Sequence, residues 1–117
     1  MIFFAKDKAE IVRQKPQGGE GEIRGLHPFA PDKRPEGTAF KIIGEMTLSP
    51  GAAIGFHVHQ DDKEIYVIRQ GRGRYTKSDG QAQEVGPGDV TLTRKGEGHG
   101  LANIGPEPLV FTAVIAQ

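Results

Sequence analysis

From Thr38 to the end of the chain, runs of five to eight β-prone residues alternate with turn signals at short, regular intervals. No pattern in this sequence restricts the fold more than that one. The runs are Thr38 to Leu48, Ile54 to His59, Glu64 to Arg69, Gly73 to Lys77, Gln81 to Val85, Val90 to Thr93, His99 to Asn103 and Leu109 to Ala116. Between them stand separators such as Ser49-Pro50-Gly51, Ser78-Asp79-Gly80 and Gly86-Pro87-Gly88-Asp89. Eight short strands without an amphipathic helical stretch predict an all-β antiparallel sandwich or barrel. The 17 Gly and 8 Pro of the 117 residues suit a domain with many corners. Such a length forms one domain that buries a sufficient core without disulfides.

Before Thr38 the pattern is less regular. Ile2 to Phe4 reads as a short strand, Asp7 to Gln14 as a helical turn or a strand, and Glu22 to Phe29 as a strand. A Pro-rich connection follows from Pro28 to Pro35, which cannot sit inside a sheet ladder. Residues 1–37 are therefore expected to supply N-terminal strands and a loop that cover a barrel formed by residues 38–117. Several barrel strands are apolar on both faces, Ile65 and Val67 alternating with Tyr66 and Ile68. A sheet face open to water would be polar, so the N-terminal strands or a second subunit must cover it, and a homodimer is the expected assembly.

Fifteen basic and fifteen acidic residues cancel, which gives no electrostatic footprint for nucleic acid or a membrane surface. The apolar start of MIFFAKDKAEIVRQK is too short for a signal or a span, so a cytoplasmic location is expected. With no Cys, a transition metal would have to be held by His and carboxylates.

That requirement directs attention to the four His. His57 and His59 are two apart, and on a strand they project from one face. Glu64 opens the next strand after a hydrophilic turn, and His99 opens a later strand that a sandwich can place beside His57. Three imidazoles and one carboxylate suit Mn, Fe, Co, Ni, Cu or Zn better than Ca or Mg. On an octahedral ion they leave two positions open for a small ligand.

Written out, the segments are Gly51-x5-His57-x-His59-x4-Glu64-x6-Gly71 and Gly88-x5-Arg94-x-Gly96-x2-His99-x3-Asn103. They resemble the two signature motifs of the cupin superfamily, with Arg94 standing where the family usually has Pro. The resemblance covers about Thr38 to Ile115 and implies a double-stranded β-helix, the jelly-roll barrel. It also implies one interior metal per subunit held by His57, His59, Glu64 and His99. Gly-Gly-Glu-Gly-Glu near the N-terminus and Thr91-Leu92-Thr93 are similar to small bacterial cupins of the oxalate-decarboxylase-like group, which favours manganese and a small carboxylate.

Strand parity supplies the expected pocket. His57 inward places Ala53 and Gly55 inward, leaving room for a ligand, and Glu64 inward brings Tyr66 and Ile68 with it. Phe40, Met46, Phe111 and Ala113 are expected as further walls, and Arg24 and His27 as candidates for an anion contact at the mouth. No general acid or base stands out beyond the metal cluster. The expected function is a metal-dependent enzyme of decarboxylase or oxidase/dioxygenase type acting on a small carboxylate or oxygenated metabolite. A non-catalytic binding module and a sugar isomerase or epimerase relative are the alternatives.

Overall fold

Four glycines of the two motifs, Gly51, Gly71, Gly88 and Gly96, all adopt φ between 80° and 92°, the left-handed region in which a side chain is strained. At Gly71 the need is twofold, because a Cβ there would also lie 2.8 Å from the Pro108 carbonyl oxygen. Turns of this kind divide the chain into ten strands in a computed structural model that describes residues 1–117. These are β1 (Ala9–Gln14), β2 (Glu22–His27), β3 (Phe40–Leu48), β4 (Ala53–Val58), β5 (Lys63–Gln70), β6 (Gly73–Thr76), β7 (Ala82–Val85), β8 (Val90–Thr93), β9 (Gly98–Asn103) and β10 (Leu109–Ala116).

All eight expected runs from Thr38 onward become strands, and Glu22 to His27 forms another. Asp7 to Gln14 resolves into a 3-10 turn at Ala5–Asp7 followed by β1, whereas Ile2 to Phe4 is not a strand. The strands form two antiparallel sheets, one of six in the order β1-β2-β3-β10-β5-β8 and one of four in the order β4-β9-β6-β7. Their facing surfaces enclose the core, in which Leu48, Ile68, Leu101, Leu109 and Phe111 are fully buried. This is the expected jelly-roll barrel.

The N-terminal strands enter this plan at an edge. β2 pairs with β3 and β1 with β2, so both lengthen the larger sheet and leave its outer face uncovered. On that face the register sets Ile65 beside Leu92 and Val67 beside Val90, and Val90 and Leu92 are 62% and 60% exposed. After β1 the chain crosses to the other sheet, where Glu20 and Ala53 exchange backbone hydrogen bonds of 2.9 and 2.8 Å.

One irregularity matters for the site. β4 and β9 pair Ile54 with Leu101 and next His57 with His99, so three steps on β4 oppose two on β9. The extra residue is a β-bulge, and it inverts the inward and outward alternation between Ile54 and His57. Ile54 therefore faces the interior in place of Ala53 and Gly55. Gly55 is small for another reason: a Cβ there would lie 2.2 Å from the Gln17 carbonyl oxygen of the N-terminal crossing.

Candidate metal centre

Both sheets contribute to one cluster of ionisable side chains in the interior. β4 and the residue after it supply His57 and His59, β9 supplies His99, and β5 supplies Glu64 from the opposite sheet. One ligand atom from each of these four residues lies within 4.8 Å of the others. His59 is held beyond the end of β4 by its backbone, whose N–H donates to the Glu97 carbonyl (2.9 Å) and whose carbonyl accepts from Gly96 (2.6 Å). Gly96 and Glu97, in the turn of the second motif, thus fix a ligand candidate of the first.

Each imidazole is oriented through Nδ1. His57 Nδ1–H donates to the Gly55 carbonyl (2.8 Å), and His59 Nδ1–H donates to Asp62 Oδ1 (2.6 Å). His99 Nδ1 lies 2.8 Å from Thr93 Oγ1 and 3.2 Å from the Tyr75 hydroxyl, two groups able to accept its proton. With Nδ1 so occupied, the three Nε2 atoms are left facing a common point, the arrangement that ligation requires. Glu64 Oε1 lies 3.1 Å from both His59 Nε2 and His99 Nε2. This donor set fits one transition ion.

The electrostatics follow from the packing. Burial lowers the pKa of His57, although its bond to Gly55 opposes this. The Glu64 hydrogen bond raises that of His59 against the effect of burial. Burial would raise Glu64, but the two imidazoles outweigh it and hold the carboxylate below its usual range. Asp62 is likewise held low, since bonds from Lys41 and His59 exceed the effect of its burial. Tyr66 stacks on His99 with ring centroids 5.0 Å apart, and burial and the Glu64 charge keep its phenol protonated.

A cavity of about 340 Å³ opens onto this cluster. Of the expected walls, Met46, Tyr66, Phe111 and Ala113 line it. Phe40 does not: it lies at the start of β3 and is 47% exposed. Arg24 is also elsewhere, because β2 turns it outward to ion pairs with Glu10 and Glu22. His27 is 2% exposed and lies outside the cavity, its Nδ1–H on the Ile43 carbonyl (3.0 Å) and its ring over Gly25 and Gly44. Its role is to fill the space left by two glycines.

Sequence reasoning missed several lining residues: Arg13, Lys15, Ile23, Ile42, Ile54 and Ile115. It also missed Asp62, Thr93 and Tyr75 as orienting partners. Asp62 carried a usable signal, three residues after His59, whereas the others depend on strand pairing and the bulge. Asn103, which closes the second motif, is structural, its amide donating to the carbonyls of Leu48 (3.0 Å) and Glu107 (2.9 Å).

The chain is similar to proteins that share this architecture. The cupin domain family model matches residues 44–115. An oxalate-binding protein of Thermotoga maritima is 34% identical over 99 residues, covering 85% of this chain and 79% of its own. The crystal structure of a predicted oxalate decarboxylase from Thermotoga maritima superposes with a TM-score of 0.87 at 29% identity, over 99% of this chain and 98% of the other. The polyketide cyclase RemF of Streptomyces resistomycificus shares the fold, with a TM-score of 0.72 at 22% identity over 99% of this chain and 78% of its own. Motifs, barrel and relatives agree that the chain is a small single-domain member of the cupin family.

Proposed function

We propose that this cupin binds one divalent transition metal, manganese foremost, through His57, His59, Glu64 and His99, and uses it to hold a small carboxylate. The observation that carries this reading is the convergence of three Nδ1-anchored imidazoles and one carboxylate, with His57, His59 and Glu64 lining the cavity and His99 buried beside them. A bound ion would supply Lewis acidity to the ligand's oxygens. The chain's own residues do the rest. Asp62 and Thr93 keep their imidazoles aimed, the apolar walls exclude water, and Tyr66 offers a protonated hydroxyl beside Glu64. The likeness to an oxalate-binding protein supports a small carboxylate as the ligand. We assign the activity to the decarboxylase or oxidase/dioxygenase type.

Residues 1–37 act as the cover of the barrel mouth in this reading, since Lys15, Pro16 and Gln17 line the cavity. The exposed apolar face around Val90 and Leu92 supports a homodimer.

The experiment is metal analysis of purified protein, followed by titration with oxalate and assay of product release and oxygen consumption. His57→Ala should lose the metal, as should His99→Ala, while the wild type binds the acid and turns it over. Full metal occupancy in both variants would remove the ligand assignment. Tight binding without turnover under air would favour the binding-module reading.

A further inference from the structure

The mouth of the cavity is built from residues that the His–Glu cluster does not use. Arg13 on β1 is the register partner of Ile23 on β2, whose side chain is 3% exposed and faces the core. The pleat therefore turns Arg13 inward, toward the cavity it lines. Lys15 lines it as well, from a turn in which both Lys15 (φ 48°) and Gln17 (φ 53°) occupy the left-handed region. Non-glycine residues persist there only when their surroundings hold them.

The surroundings do hold them. Lys15 N–H donates to the Gly21 carbonyl (2.7 Å), and Glu20 is paired to Ala53. A Cβ on Gly19 would lie 1.9 Å from the Ala53 carbonyl oxygen, so the turn packs backbone to backbone against β4. The backbone that carries Lys15 is thus fixed at the mouth, and the exposed side chains of Arg13 and Lys15 are free to reach over it.

Neither of them has a carboxylate within 4.0 Å, whereas Arg24, Lys41, Arg72 and Arg94 each do. The one acid lining the cavity, Glu64, is turned into the imidazole cluster. Between mouth and floor stand Ile23, Ile42, Ile54 and Ile115. The cavity is cationic at both ends once a divalent ion is bound, and apolar between them. A neutral ligand leaves Arg13 unused, and a monocarboxylate satisfies one end only.

We infer that Arg13, assisted by Lys15, is the second anchor of a dicarboxylate ligand. One carboxylate sits at the His–Glu cluster and the far oxygens pair with the guanidinium, whose planar fork matches a carboxylate. This inference rests on the metal and carboxylate reading above and adds the residue that selects two-ended acids over one-ended ones.

Isothermal titration of the Mn²⁺-loaded protein with acetate, oxalate, malonate and succinate tests it, with metal content measured alongside. In Arg13→Gln the best-bound dicarboxylate should lose about tenfold or more in affinity, the worth of one charged hydrogen bond, while acetate affinity and metal content stay unchanged. Arg13→Lys should lose less, and Lys15→Gln less than Arg13→Gln. Unchanged dicarboxylate affinity in Arg13→Gln would overturn the second anchor and leave the metal and carboxylate reading intact. Failure of every acid to bind the loaded wild type would overturn both.

Discussion

His59 Nε2 and His99 Nε2 face each other at 3.0 Å, forty residues apart in the chain. Asp62 holds the proton of His59 on its other nitrogen, and Thr93 and Tyr75 are placed to do the same for His99. At that separation the two nitrogens must share a proton or have a cation between or beside them, since two lone pairs would repel. Glu64 Oε1, 3.1 Å from both nitrogens, adds negative charge to the same point. The barrel thus gathers nitrogen and oxygen donors where an apolar core would otherwise be, and in the proposed reading a bound divalent ion would neutralise them.

Asp62→Ala should weaken metal binding without removing a ligand. Freed from its Nδ1 bond, His59 can rotate or change tautomer, and orienting partners of this kind are worth about 10–100-fold in affinity. Competition with a chelator measures the loss. An affinity equal to the wild type would show that Asp62 serves only its ion pair with Lys41.

Gly55→Ala should destabilise the fold by about 1–3 kcal/mol, the usual cost of overpacking. The added methyl would meet the Gln17 carbonyl at 2.2 Å, a backbone atom that cannot swing aside. Urea denaturation of the variant checks the magnitude, and a change within about 0.5 kcal/mol, typical of a neutral surface substitution, would refute the close packing of the crossing on β4.

His27 predicts a dependence of stability on pH. Burial lowers its pKa in the folded protein. Below about pH 6.5 the unfolded chain takes up a proton that the folded chain refuses. The contribution is therefore complete above that pH and is lost as pH falls toward the lowered native value. In denaturation series from pH 7.5 to 5.5, the metal-free wild type should lose stability relative to His27→Gln, with a slope of at most about 1.4 kcal/mol per pH unit. Parallel pH profiles would contradict a neutral buried His27.

Leu92→Glu should convert a dimer into a monomer. The substitution places a charge at a 60% exposed position beside Ile65, at the β8 edge of the uncovered apolar face. Sedimentation velocity at micromolar concentration distinguishes the species. A wild type that is already monomeric would reject the dimer.

Much of the barrel was legible because its signals are local. Short β-prone runs and glycine turns are read along the chain, and the spacing of His57, His59 and Glu64 already implies a shared face. His99 needed the second motif, since its neighbours arrive through pairing with β4 and β6. What escaped notice depends on geometry that no single segment contains. The bulge between Ile54 and His57 reverses parity, which exchanged Ile54 for Ala53 and Gly55 on the pocket wall. Arg13 was missed and Arg24 favoured because the facing of β1 is set by its register with β2, which the sequence of either strand leaves open.

The most direct test of the metal centre is a crystal structure of the protein as purified, with diffraction collected on both sides of the absorption edge of the metal found by elemental analysis. One anomalous peak is expected, about 2.0–2.3 Å from the Nε2 atoms of His57, His59 and His99 and from a Glu64 oxygen. A peak held by other residues, or fully loaded crystals with no peak at this cluster, would contradict the assignment.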